Sequence, residues 1–203
     1  MGFGLLFIGY TALLFFKVLP PAMFAGQCLC IAALEKLSAY EKSFRLPKLL
    51  SEILCGYFGL YTAVWIAQMA GLTTILSNRI FLVADDAVYK ALLFAWHMAL
   101  YAAMENICRT VGYEKGCKRA GLARVFLVTA YLVWGLRLVF DLVGSAGILP
   151  LAEMVFLLGY IGFTAAYIYA LYMRIATPKI IEDEMKNMRE YDAKYSFRTP
   201  KKK

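Results

Sequence analysis

Apolar residues are gathered into six long runs separated by short polar segments. A helix crosses the hydrocarbon core of a bilayer with about 20 apolar residues, at 1.5 Å per residue. The runs lie at about 2–18, 21–37, 49–70, 86–108, 120–143 and 150–174, and each is predicted to be a membrane span. The first is short, and Pro20-Pro21 separates it from the second, since proline is tolerated in the first turn of a helix. A polar segment, Ser38 to Arg45, ends span two, and Pro47 marks the restart into span three. Residues 71–84 are predicted to form a loop whose one apolar run, Ile80 to Ala84, is too short to cross and lies in the interface. Asp85 or Asp86 then caps span four, where a carboxylate favours a helix N-terminus. Arg109 to Arg119 reads as a basic loop broken by Gly112 and Gly116, and Pro150 starts span six after the Gly144–Gly147 turn.

The last segment, 176–203, is set apart by composition. Thr177-Pro178 is a helix start, and Ile181, Met185, Met188 and Tyr195 follow helical spacing opposite Lys186, Arg189 and Lys194. That pattern fits a basic amphipathic helix lying on the membrane surface, with a solvated tail as the alternative.

Composition agrees with this reading. The chain is 62% hydrophobic, whereas soluble domains run at about 45–50% apolar. Its 18% of charged residues are clustered, and most of the 22 Lys and Arg fall in Lys36–Lys48, Arg109–Arg124 and Arg174–Lys203. A net charge of +8 raises nucleic acid as a partner, but basic loops in a multi-span protein are topology signals, so none is expected. The basic blocks follow spans two, four and six, while the other connections carry only Lys17 and Arg79. Both termini are therefore expected in the cytoplasm. The first Lys is residue 17, beyond the first apolar run, so residues 1–18 read as a retained span rather than a signal peptide.

Polar residues inside spans are costly in lipid and each needs a reason. On span four, Asp86, Lys90, His97, Tyr101 and Glu105 fall within an arc of roughly 100° at about 100° per residue. Lys90 and Glu105 lie near opposite ends and could snorkel to the two surfaces. On span six, Glu153, Tyr160, Thr164, Tyr167 and Arg174 share a face about 80° wide on the same geometry. Span three carries Tyr57, Tyr61, Trp65 and Gln68 on one side, and span five pairs Arg137 with Asp141 at i, i+4. Such faces turn away from lipid, toward other helices or a wet cavity.

Two readings follow. In one, Asp85, Asp86, Lys90, Arg137, Asp141 and Glu153 form an outer vestibule and His97, the single histidine, is a central polar station able to carry protons. In the other, these groups satisfy one another and fix helix register. Chemistry signals are sparse. The five cysteines show no CxxC or metal spacing, and no HExxH, nucleophile elbow or phosphate-cradling glycine loop is present. No catalytic residue, cofactor or metal is therefore expected.

Lys17-Val18-Leu19-Pro20-Pro21 through Ile31, Leu34-Glu35-Lys36-Leu37-Ser38 and Tyr40 to Phe44 form an early span, a Leu-Pro turn, a second span and a Lys-Leu-Ser exit. Over about residues 17–50 this resembles small multi-pass membrane proteins of Gram-positive bacteria. The resemblance implies multi-pass topology and a bacterial cell membrane, and it implies no activity or site.

The expectation is an all-α, six-span bundle in the plasma membrane with an internal polar surface. Its function would be that of a non-enzymatic, transporter-like or accessory component. The alternatives are a membrane-embedded enzyme using the outer carboxylates, or a scaffold or signalling partner acting through the basic tail. Its partners would be the bilayer and, given its small size, a second copy or another membrane protein.

Overall fold

In the computed structural model the chain is described at residues 2–13, 19–143 and 147–176, with the side chains of 79, 80, 141–143 and 176 outside the description. Within those residues it is helical, with no strand. Helix α1 spans Gly2–Ala12, α2 Pro20–Ser38, α3 Arg45–Met69, α4 Arg79–Thr110, α5 Glu114–Val143 and α6 Leu149–Leu171. Short 3-10 turns, Lys42–Phe44 and Ile75–Ser77, precede α3 and α4, and a π-helical turn, Tyr172–Ala176, continues α6. Four segments are long and apolar enough to cross a membrane: Lys42–Met69, Phe81–Thr110, Glu114–Phe140 and Leu149–Ile175. Helix α1 is a shorter apolar helix. The two prolines, Gln27, Glu35 and Lys36 lower the hydropathy of α2, although its 19 residues give it the length.

Each helix packs on the next, and α6 returns to α1, so the bundle closes on itself. The tightest joint is α1 against α2. A Cβ added to Gly9 would sit 2.7 Å from the Gly26 carbonyl oxygen, and one added to Gly26 would sit 2.6 Å from the Ala12 Cβ. Glycine at both places lets the two backbones touch, as small residues do between membrane helices.

The surface is apolar, unlike that of a soluble protein, and the largely apolar interior also takes in several polar side chains. Leu60, Val125, Leu132 and Leu151 are each at least 60% exposed. Meanwhile Gln27, Ser51, His97 and Thr164 are buried to 1% or less. Exposed apolar area on this scale needs lipid around it, and polar groups that lipid cannot satisfy are turned inward.

The structure moves several predicted boundaries. Helix α4 begins at Arg79, not at Asp86, so the apolar run Ile80 to Ala84 is the first turn and a half of that helix. Asn78 is the cap: its side-chain oxygen accepts from the Phe81 amide at 3.3 Å. Asp85 and Asp86 therefore lie inside the helix, where partners from other residues hold them. The basic loop also shrinks to a turn. Helix α4 runs to Thr110 and α5 starts at Glu114, with Gly112 at φ +70° closing the end of α4. That left-handed backbone lets the Tyr113 amide reach back to the Cys108 carbonyl at 2.7 Å, the glycine-terminated helix end. Gly116 is not a breaker but part of α5. The predicted amphipathic helix beyond Thr177, and residues 14–18 of the first span, lie outside the described residues.

Candidate functional site

The polar face of α4 meets the polar face of α6 along a seam, in the same order along both helices. Near the N-terminal end of α4, Lys90 Nζ lies 2.7 Å from Glu153 Oε1. Two turns on, the His97 ring stands edge-on to Tyr160, with centroids 5.2 Å apart. Next, the Tyr101 hydroxyl bonds to Thr164 Oγ1. Last, Cys108 Sγ faces the Tyr167 hydroxyl at 3.6 Å. Rising residue numbers meet rising residue numbers, so α4 and α6 run parallel, as alternate spans of a serpentine chain must. The first three rungs recur at spacings of 7 and 4 on both helices, which is why they match, whereas the last lies 7 residues on along α4 and 3 along α6.

The first rung is part of a charge cluster. Glu153 also takes Arg137 Nη1 on its second oxygen at 2.5 Å, and Lys90 also pairs with Asp86 at 3.0 Å. The Lys90 ammonium stands 4.7 Å from the Trp134 ring centroid, and its own carbonyl accepts from the Tyr131 hydroxyl at 2.9 Å. Two cations and two carboxylates thus balance within one patch. The Glu153 side chain is 8% exposed and Lys90 10%, while Asp86 and Arg137 reach the rim. Lys90 does not snorkel outward; Glu153 draws it in. Asp85 bonds to the Tyr57 hydroxyl of α3. Arg137 finds Glu153 on the neighbouring helix, and the side chain of its predicted i+4 partner, Asp141, lies outside the described residues.

At the middle, His97 is 1% exposed and both ring nitrogens are bonded. Nδ1 lies 2.8 Å from the Leu93 carbonyl, which can only accept, so Nδ1 carries the proton. Nε2 then accepts from the Tyr10 hydroxyl of α1 at 2.9 Å. Trp96 stacks on Tyr10 with centroids 6.0 Å apart and donates to Ser51 Oγ at 2.7 Å. The histidine is a buried ring with a partner on each nitrogen, set in an aromatic cage. Thr164 donates to the Tyr160 carbonyl at 2.7 Å, so it receives the Tyr101 proton. Tyr167 likewise donates to the Gly116 carbonyl at 2.9 Å and accepts from the Cys108 thiol.

At the other end of α4, Glu105 pairs with Arg109 at 2.5 Å and Arg124 at 2.6 Å. It belongs to a second ion cluster, away from the first. Arg174, placed on the α6 stripe by spacing, is exposed, because the π-helical turn Tyr172–Ala176 rotates it off the seam. The predicted α3 face stays outside the column: Tyr57 and Tyr61 cover Asp85 and Tyr89, and Gln68 bonds to the Leu76 amide at 3.1 Å.

Tyr10, Ser51 and Gln27 are central to the interior and carried no periodic signal. Tyr10 sits midway along the apolar run 2–18 of the sequence, too deep for an interface anchor, and that position was the available clue.

The fold and the seam together define a helical membrane protein with a polar interior column. No protein family, curated protein or solved structure matches the chain.

Proposed function

We propose that the protein is a six-span component of the bacterial plasma membrane, with both ends in the cytoplasm, and that it works as a small transporter-like or accessory protein. One observation carries the reading: the α4–α6 seam joins polar side chains from the Lys90–Glu153 pair to the Cys108–Tyr167 pair, and an ion cluster stands at each end. Column-spanning polarity is expensive in lipid and marks a path for protons or small ions. The basic blocks after α2, after α4 and in the tail support the orientation, with Glu105 toward the cytoplasm and Glu153 outside. The resemblance over residues 17–50 supports the bacterial location.

In this conformation the path is shut. His97 and Thr164 are buried, and the Tyr10, Tyr101 and Tyr167 hydroxyls are each bonded, while the buried Tyr160 hydroxyl has no partner among the described residues. Passage requires the rungs to part, and Glu153, which holds two cations from two helices, is the latch of the outer end. Asp86 and Glu153 are neutralised by Lys90 and Arg137, and Asp85 is bonded to Tyr57, which favours this reading over carboxylates acting as catalytic acids or bases. A second copy or another membrane protein is the natural partner for a chain of this size.

Proteoliposomes with an internal pH dye, and separately with a sodium or potassium indicator, test the proposal under an imposed gradient. Wild-type protein should pass protons or a monovalent cation, and Glu153→Gln should cut the flux at least tenfold. Equal flux in protein-free, wild-type and Glu153→Gln vesicles overturns the transport reading.

A further inference from the structure

Apart from the seam, the bundle has a built cleft where α2 ends and α3 begins. It is about 460 Å³, and Glu35, Ser38, Arg45, Lys48, Leu49 and Glu52 line it. The cleft lies at the turn between two helices, so it opens at a membrane surface rather than into the bundle.

Its charges are arranged, not merely present. Lys48 bonds to Glu35 across the α2–α3 joint and lies 3.8 Å from Glu52, one turn along its own helix. Lys48 is only 28% exposed, so it is a fixed cation in the wall. Arg45 is exposed and makes no ion pair among the described residues. Glu52 is half exposed, and its distance from Lys48 is too long for a hydrogen bond, which leaves it room to accept another donor. The wall therefore offers an available guanidinium and an available carboxylate within two helical turns, with no net charge. A ligand with a phosphate and a primary ammonium a few bonds apart matches both. A bare anion would leave the glutamates facing it, and a bare cation would meet Arg45.

The apolar surroundings identify the source. Leu49 lines the cleft, and Leu49, Ile53, Gly56 and Leu60 follow one another down a single outward stripe of α3. Leu49 is 53% exposed, Ile53 48% and Leu60 73%, and a Cβ on Gly56 would meet nothing within 4 Å. The stripe descends from the cleft into the depth of the membrane, where an acyl chain attached to a bound headgroup would lie. Leu46, also exposed, flanks the entrance.

We propose that this cleft is a specific site for a phospholipid with a zwitterionic, primary-amine headgroup of the ethanolamine type. Arg45 takes the phosphate, Glu52 receives the ammonium, and the α3 stripe carries an acyl chain. The guanidinium–phosphate contact is a charge-assisted, bidentate-capable bond, and the carboxylate distinguishes a primary ammonium, which donates hydrogen bonds, from a choline, which cannot.

The test uses full-length protein in nanodiscs containing equal parts of ethanolamine, choline and glycerol phospholipids, released into native mass spectrometry. Wild type should retain the ethanolamine lipid severalfold above its share of the bilayer. Arg45→Ala and Glu52→Gln should each reduce that excess by about three- to tenfold, the loss expected for one partly solvated charge-assisted bond. Lys48→Met probes the wall, and because it alone removes a helix-to-helix bridge, a folding defect confined to it leaves the other two variants to decide. Competition with soluble phosphoethanolamine separates headgroup from lipid: little displacement supports the lipid site, and complete displacement at equal concentration shows a headgroup-only pocket and overturns the role of the stripe. Retained lipid that mirrors the bilayer, or enrichment of the anionic glycerol lipid, overturns the proposal. None of these outcomes depends on whether the seam conducts.

Discussion

Lys90 and Glu153 stand 63 residues apart in the chain and 2.7 Å apart in space. The pair ties α4 to α6, and Arg137 adds α5 to the same carboxylate. Replacing one member leaves the other with a single partner, Arg137 for Glu153 and Asp86 for Lys90, so the cost stays below the about 3–5 kcal/mol of a buried charge left unpaired. Lys90→Met or Glu153→Leu should each lower the unfolding temperature in detergent, and the double replacement should recover much of the loss. Single and double variants that unfold at the wild-type temperature would show that water already solvates the cluster.

His97 needs a gentler probe than truncation. Alanine at 97 would empty an aromatic cage and strand the Tyr10 hydroxyl, at a cost of about 2–5 kcal/mol. Its loss of function would therefore report folding as much as mechanism. Tyr10→Phe removes only the donor to Nε2 and should cost about 1–3 kcal/mol, the penalty for an unsatisfied buried acceptor. Unchanged thermal stability of Tyr10→Phe would mean that water or another hydroxyl replaces the bond.

Along the seam, Tyr101→Phe should be mild. Interhelical hydrogen bonds in membrane bundles are worth roughly 0.6–1.7 kcal/mol, well below the charged rung. A double-mutant cycle with Thr164→Val should give a coupling of that order. A coupling near zero would show that the two hydroxyls do not bond to each other.

Bulk at the α1–α2 joint should be far less tolerated than bulk on the lipid face. Gly9→Val places side-chain atoms against the Gly26 backbone, and overpacking of this kind costs about 1–3 kcal/mol or separates the helices. Gly135→Val, where a Cβ meets nothing within 4 Å, should be silent in the same unfolding assay. The reverse order of effects would place α1 elsewhere.

Topology is checked by labelling single cysteines in a cysteine-free background. Tyr40 and Ser77 are both exposed, one before α3 and one after it. A membrane-impermeant maleimide should reach Ser77→Cys in intact cells and Tyr40→Cys only after permeabilisation. Labelling of both from the same side would remove α3 as a crossing and with it the proposed orientation.

The stripes on α4 and α6 could be read directly, because a helix repeats on a period that the chain itself displays and because lipid excludes polar side chains. The extent of α4 could not. Asp85 and Asp86 look like caps in a linear sequence, and only Tyr57 from α3 and Lys90 one turn ahead make them acceptable within a helix. In the same way Gly116 looks like a breaker, yet it is a close-packed point of α5 whose added Cβ would strike the Cys108 sulfur.

What the linear chain determined was the solvent: enough apolar length for several crossings, and polar groups phased to one side of each helix, both local properties of composition and period. The tertiary structure decided which sides meet. Tyr10 becomes the partner of His97, and Arg137 turns to Glu153, because a closed ring of helices brings α1, α4, α5 and α6 to one interior, and a polar group in lipid must take whichever partner that packing presents.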